Sequence, residues 1–138
     1  MEFSRRDTLG LGLGAVALTM LPMPVVAAAD DRIAEFTGGA DMADSGLTLT
    51  APEIAENGNT VPIEVSAPGA TAILVLATGN PEPGVATFNF GPLAAVQAAS
   101  TRIRLAGTQD VVAVAKMADG SFAKASATVK VTIGGCGG

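Results

Sequence analysis

Alternation of apolar and polar side chains just before the C-terminal glycines is the feature that most limits how this chain can fold. In residues 122–133 every second position is apolar, namely Ala123, Ala125, Ala127, Val129, Val131 and Ile133. The positions between them are polar and include Ser126, Thr128, Lys130 and Thr132. Because successive side chains of a strand point to opposite faces, this period of two predicts a long β-strand with one face against a core.

The same alternation recurs upstream, at residues 47–50, 61–67, 86–90 and 102–105. A fully apolar run, typical of a central strand, occurs at residues 73–77, and a further strand is predicted at residues 111–117. Pairs rich in Gly, Pro, Asn and Asp separate the runs, and about seven short strands at this spacing predict an all-β, immunoglobulin-like antiparallel β-sandwich. A small open barrel is the alternative. Among the turns, Asn57-Gly58 is predicted to close a hairpin and fix its register, and Asn80 is placed in an exposed loop.

Two segments do not alternate, and they favour helices. Residues 30–39 have acidic residues at their start, Ile33 and Phe36 on one face, and glycine at their end, which predicts a short N-terminal helix. Residues 93–100 are rich in alanine, which favours a short helical crossover between strands.

The N-terminus has the parts of an export signal. Arg5-Arg6 precedes an apolar, glycine-rich run at residues 10–21, and three alanines occupy positions 27–29. A positive pair, an apolar stretch and a small-residue end are typical of secretory signals, and paired arginines are typical of the twin-arginine type. Thr8 departs from that type, which usually has Phe there. The apolar run is too short for a comfortable membrane span, which disfavours an anchor.

This signal sets the expected domain organisation. We expect residues 1–29 to be removed near Ala29, which leaves a periplasmic protein. The remainder is then one sandwich domain, residues 30–133, followed by a C-terminal arm, residues 134–138. No linker long enough to separate two domains is visible.

Composition excludes several classes of protein. The net charge is −5, and without basic clusters or aromatic stacking residues this argues against nucleic acid binding. The chain has no His, which removes the usual general base and the commonest metal ligand. Its single Cys allows neither an intramolecular disulfide nor a multi-thiolate metal site. We therefore predict no metal and no cofactor.

The one cysteine lies at the C-terminus, and Cys136 is flanked there by Gly134, Gly135, Gly137 and Gly138. Because glycine has no Cβ, these neighbours predict a thin, flexible arm that can bring a thiol into a narrow channel of another protein. An odd cysteine in an oxidising compartment indicates a deliberately reactive thiol or an intermolecular bond. From the residues alone, a carrier arm, an incidental terminal cysteine and a disulfide-linked dimer all remain open.

Three segments of the chain together match a known family: the Gly-Gly-Cys-Gly-Gly end, the twin-arginine-like signal, and residues 52–62, Pro-Glu-Ile-Ala-Glu-Asn-Gly-Asn-Thr-Val-Pro. Together they resemble SoxY, the Y-subunit family of the thiosulfate-oxidising Sox multienzyme system, over essentially the whole chain. The resemblance implies a carrier protein rather than an enzyme. It implies that Cys136 holds sulfur intermediates covalently, first as an S-thiosulfonate and then as a persulfide.

The resemblance also implies partners. It predicts a heterodimer with the Sox Z subunit, which has no export signal of its own, so that the pair is exported folded. It predicts transient docking to a c-type cytochrome complex, a sulfate thiohydrolase and a sulfane dehydrogenase. No nucleic acid is expected as a partner, and no membrane after signal removal.

Two competing functions belong to other classes of protein. An enzyme with Cys136 as its own nucleophile would lack a His base, and a glycine arm is a poor place to preorganise a transition state. A non-catalytic β-sandwich docking module, whose lone cysteine forms an intermolecular disulfide, is the stronger alternative. Sulfur adducts on the thiol would distinguish the carrier from both.

Overall fold

The computed structural model describes residues 25–134. Over this range one helix, α1 (Val25–Thr37), precedes the strands. The strands are β1 (Met42–Ala43), β2 (Thr48–Thr50), β3 (Ile54–Ala55), β4 (Val61–Ser66), β5 (Ala70–Ala77), β6 (Gly84–Asn89), β7 (Ala98–Ile103), β8 (Gln109–Met117) and β9 (Phe122–Val131). No helix within residues 25–134 is long and apolar enough to cross a bilayer.

The strands form two sheets. The larger sheet has the order β1-β9-β8-β5-β6, and the smaller has the order β2-β4-β7. The long ladders of both sheets are antiparallel. The prediction of an all-β, immunoglobulin-like antiparallel sandwich with a short N-terminal helix is thereby confirmed. Two short strands depart from it, because β1 and β3 both pair with β9 in parallel.

A hydrophobic core fills the space between the sheets. Its largest fully buried side chains are Ile73, Leu105, Val61, Val65, Val75, Val111 and Val129. In β4, Val61, Ile63 and Val65 are buried whereas Pro62 and Glu64 are exposed, as the alternation predicts. Branched aliphatic side chains suit this arrangement because they pack well on a pleated, half-buried surface.

A second apolar cluster lies between α1 and the outer face of the larger sheet, and it consists of Ile33, Leu74, Leu76, Val112, Val114 and Phe122. The ring of Phe36 meets that of Phe122 edge-on, with centroids 6.0 Å apart. Strands β5 and β8 are therefore covered on both faces. This explains why their sequences are apolar without interruption at residues 72–77 and 111–115, whereas β4 and β9 alternate.

Helix α1 begins earlier than predicted, at Val25 instead of Asp30, and it ends at Thr37. Gly38 follows with a φ of 66°, the left-handed conformation in which glycine commonly ends a helix. Ala29 is buried. The signal boundary predicted near Ala29 thus falls inside α1, and the cleavage position stays a prediction.

The helical crossover predicted for residues 93–100 is wrong. Ala98–Ile103 forms strand β7, and Leu93 lies in the preceding loop with its side chain 98% exposed. Strand β7 pairs with β4 along its whole length. The local preference of alanine for helix is weak, and the ladder offered by β4 outweighs it.

The turn at Asn57-Gly58 does not close a hairpin, and that prediction is also wrong. It lies between β3, which pairs with β9, and β4, which pairs with β2 and β7, so it carries the chain from one sheet to the other. The side-chain Oδ1 of Asn57 accepts a hydrogen bond of 3.0 Å from the N–H of Asn59, as in an Asx turn. The Asp119-Gly120 turn, in contrast, joins the adjacent strands β8 and β9.

Candidate functional site

The structure describes only the first residue of the predicted arm, Gly134. Cys136 and its neighbours Gly135, Gly137 and Gly138 lie outside residues 25–134, so their roles stay predictions. Gly134 is the last described residue, and it is exposed. The structure therefore gives the geometry of the arm base, which we define as residues 132–134.

The arm base is held by the chain segment that follows β3. Thr132 donates twice to this segment, from its N–H to the carbonyl oxygen of Ala55 at 3.0 Å and from its hydroxyl to that of Glu56 at 3.0 Å. The N–H of Gly58 then donates to the carbonyl oxygen of Ile133 at 2.8 Å. Ordered backbone pairing thus continues beyond the end of β9, even though the side chain of Ile133 is 67% exposed.

Gly134 packs directly on the backbone of the loop before β8. A Cβ atom on Gly134 would lie 2.5 Å from the carbonyl oxygen of Ala106, a distance that real Cβ atoms essentially never show. The φ angle of Gly134 is not in the left-handed region. Close approach, rather than an unusual backbone angle, therefore requires glycine at this position.

Two buried amide side chains, Asn80 and Gln109, hold the loop that contacts Gly134 through hydrogen bonds. The Nδ2 of Asn80 donates to the carbonyl oxygen of Arg104 at 2.8 Å, and its Oδ1 accepts from the N–H of Ala106 at 2.9 Å. The Nε2 of Gln109 donates to Asn80 Oδ1 at 2.8 Å and to the carbonyl oxygen of Gly107 at 3.1 Å. Three polar groups of this irregular backbone, the carbonyl oxygens of Arg104 and Gly107 and the N–H of Ala106, thus have side-chain partners in place of a strand partner.

Gly58 joins the arm base to the same loop. Its N–H bonds to Ile133, and its carbonyl oxygen accepts a hydrogen bond of 2.8 Å from the N–H of Leu105. Gly58 is itself buried. We call the backbone of Gly58 and of residues 104–107 the platform of the arm.

The placement of Asn80 in an exposed loop is wrong, because its side chain is only 4% exposed. The turn that contains Asn80 folds beneath the platform, and the N–H of Gly79 donates to Gln109 Oε1 at 2.8 Å. Sequence reasoning missed both amides. The one available signal was a polar residue, Gln109, two positions before the apolar run that starts at Val111.

Two clefts are formed by the described residues, and both lie away from the arm base. One cleft of about 620 Å³ lies between α1 and β6, and one of about 600 Å³ lies on the smaller sheet; no residue of the arm base lines either. Across the described part of the chain, His, Cys, Asp and Glu do not form a group of three that could hold a metal ion.

Hydrogen bonds from the hydroxyl and N–H of Ser121 lower the pKa of Asp119, which lies in the β8–β9 turn.

Comparisons with known proteins identify the family of the chain. The family described as sulfur oxidation protein SoxY matches residues 33–136, a range that includes Cys136. Among solved structures, the sulfur carrier protein SoxY from Chlorobium limicola f thiosulfatophilum is 38% identical, with a TM-score of 0.67 over 78% of this chain and 98% of that chain. No curated protein matches the chain.

More distant structures share the sandwich. The superoxide reductase (neelaredoxin) from Ignicoccus hospitalis is 17% identical, with a TM-score of 0.56 over 63% of this chain and 80% of that chain. A putative superoxide reductase from Thermotoga maritima is 18% identical, with a TM-score of 0.51 over 62% of this chain and 84% of that chain. At these identities the likeness shows the fold alone.

Proposed function

The chain belongs to the SoxY family of sulfur carriers in sulfur oxidation, and we propose that it carries the intermediates of thiosulfate oxidation covalently on Cys136. On this proposal the protein is a carrier subunit and not an enzyme. The catalytic groups belong to partner proteins, which act in turn on the sulfur held by the thiol.

The observation that carries this proposal is the fixed, exposed arm base. Backbone hydrogen bonds hold the chain as far as Ile133, and Gly134 stands exposed on the platform. Cys136 follows two residues later, so its backbone lies within about 7 Å of Gly134, at roughly 3.5 Å of chain per residue. The flanking glycines have no side chains, which keeps the arm thin enough to enter a channel.

The first half of the proposed cycle loads the thiol. The Cys136 thiolate and thiosulfate lose two electrons together to a c-type cytochrome complex, and an S–S bond forms between them, giving Cys–S–S–SO₃⁻. Water then attacks the terminal sulfone in a thiohydrolase. The bond between the outer sulfane sulfur and the sulfone sulfur breaks, sulfate and two protons leave, and a persulfide, Cys–S–S⁻, remains on the arm. Covalent attachment keeps these reactive species from diffusing away between enzymes.

The second half regenerates the thiol. A sulfane dehydrogenase oxidises the outer sulfur of the persulfide with three water molecules, releasing six electrons and six protons and leaving Cys–S–SO₃⁻. A second hydrolysis releases sulfate and two protons and restores the Cys136 thiolate. Each step changes only the group attached to the sulfur, so one arm can serve all the enzymes in sequence.

The proposal includes a location and a stable partner. Work with other Sox proteins follows from membership of the family. We place this work in the periplasm after export by the twin-arginine-type signal at residues 1–29, as a heterodimer with the Z subunit. Strands β6 and β7 end the two sheets, and each leaves one edge unpaired among the described residues, as a sheet that takes a partner strand would.

Mass spectrometry of the protein isolated from its native host tests the proposal. The expected result is a mixture of the free thiol with thiosulfonate and persulfide adducts, all localised to Cys136. Brief treatment with a thiol reductant should return every adduct to the free thiol. A preparation that contains only a disulfide-linked homodimer would support the docking module instead, and an unmodified thiol under thiosulfate-oxidising growth would contradict the carrier.

A further inference from the structure

We propose that Gly134 and Asn80 are positioning residues for the thiol, a role that rests on the proposed carrier function of Cys136. Gly134 is required as a contact point on the platform, and Asn80 holds the platform in place beneath it. Together they fix the point and the direction from which the arm leaves the sandwich.

The contact at Gly134 differs from the usual reason for a glycine in a flexible tail. A Cβ there would meet a backbone carbonyl, which cannot rotate away as the end of a long side chain can. Gly91 and Gly107 provide the contrast, because a Cβ at either would meet nothing within 4 Å. Even alanine at position 134 must therefore lift the arm base from Ala106. The adjacent bond between Gly58 and Ile133 would weaken with it.

Asn80 acts on the thiol through the platform. Its amide donates to the carbonyl oxygen of Arg104 and at the same time accepts from the N–H of Ala106. Ala106 is the residue that Gly134 contacts. No aliphatic side chain can supply both. Replacing Asn80 would leave two partly buried backbone groups without these partners, and the loop would have to move to satisfy them.

A fixed origin matters because the arm is short. About two residues separate the platform from the thiol, a reach of roughly 7 Å. A partner that docks on the sandwich receives the thiol at high effective concentration only if the arm starts at a constant place and points in a constant direction. Displacement of the arm base by a few ångströms therefore uses up much of the available reach.

The first test compares Gly134→Ala with Gly135→Ala by amide hydrogen exchange. We expect the Gly58 amide, which donates to Ile133, to exchange about tenfold faster in Gly134→Ala, since a backbone hydrogen bond is worth roughly that factor. Gly135→Ala should leave this rate unchanged. Equal Gly58 exchange in wild type and Gly134→Ala, or an equal rise in both variants, would overturn the proposal.

The second test leaves the arm untouched and alters only what supports it. Nitroxide labels on Cys136 and on an exposed site of β9, introduced by Ser126→Cys, report the distance between arm and sandwich. Asn80→Ala should broaden that distance distribution, whereas Ile33→Ala, which removes contacts of α1 on the far side of the larger sheet, should not. Superimposable distributions in Asn80→Ala and wild type would reject a positioning role for Asn80. If Asn80→Ala does not fold, Asn80→Ser takes its place under the same criterion.

Neither readout involves turnover, so the failure of each idea can be recognised separately. If Cys136 proves dispensable for sulfur oxidation while both tests give the expected results, the arm is anchored but the carrier function is wrong. If both tests fail while Cys136 is essential, the carrier stands and its arm is mobile from Ile133 onwards.

Discussion

The N–H of Gly58 donates a hydrogen bond of 2.8 Å to the carbonyl oxygen of Ile133. This bond links two of the three segments that resemble SoxY, because Gly58 belongs to the stretch at residues 52–62 and Ile133 immediately precedes the glycine-rich tail. The two motifs are therefore parts of one structure. The stretch at residues 52–62 supplies Gly58, one part of the platform on which the tail starts.

Replacing Cys136 by Ser should abolish sulfur oxidation in a reconstituted system without changing the thermal midpoint. Serine is close in size but cannot form S–S bonds, and position 136 lies beyond the anchored arm base. The measurement is thiosulfate-dependent electron transfer, paired with thermal unfolding of the variant. Normal turnover by Cys136→Ser would contradict the carrier function.

Valine beside the thiol should separate access by enzymes from access by small reagents. Gly135→Val and Gly137→Val each widen the arm and restrict its backbone, so turnover with partner enzymes should fall by at least about tenfold, while alkylation of Cys136 by a small reagent persists. Thermal midpoints should barely move. Gly91→Val is the matched control, because a Cβ at Gly91 meets open space. An unchanged ratio of the two rates in both arm variants would reject the slender-arm explanation.

Truncating Leu76 to Ala should lower the free energy of unfolding by about 2–5 kcal/mol, the range found for large-to-small changes in cores. Leu76 is fully buried beneath α1 in the cluster on the outer face of the larger sheet. Denaturant unfolding measures the loss. The remaining folded protein should still be alkylated at Cys136 at the normal rate, because this cluster lies away from the platform. A loss below about 1 kcal/mol would show that α1 does not cover the sheet tightly in solution.

The mature protein should be recovered from its host as a heterodimer with a second small β protein of the same pathway. Within residues 25–134, β6 and β7 each have one unpaired edge, which gives a physical reason, because open strand edges are commonly covered by a partner. Light scattering after size-exclusion chromatography, combined with identification of the co-purified chain, provides the measurement. A strict monomer at all concentrations would count against the predicted partner.

Local sequence pattern was enough to predict the sandwich because most of its strands expose one face and bury the other. The alternation in β4 and β9 follows directly from that difference. The sequence pattern wrongly predicted a helix at residues 93–100. The helix preference of alanine is small there, and pairing with the edge of β4 favours a strand from Ala98 onwards. The parallel pairing of β3 with β9 was equally out of reach, since two residues carry no period.

The thiol was predictable from the sequence, whereas its support was not. A lone cysteine among glycines stands out in composition alone. Asn80 looked like an ordinary turn residue, because its burial depends on a loop more than twenty positions away folding over it. The requirement for Gly134 was likewise hidden, since a glycine needed for contact and a glycine needed for freedom look the same in a sequence.

The position of β9 within its sheet has a mechanical consequence. Strand β9 is flanked by β8 on one side and by β1 and β3 on the other. On the proposed function, a partner enzyme that resists release of the loaded thiol would pull along the axis of β9. The hydrogen bonds of a sheet lie across that axis, so many of them oppose the pull together instead of opening one after another. The sheet therefore resists a force applied at the C-terminal end of β9, because several hydrogen bonds would have to break at once.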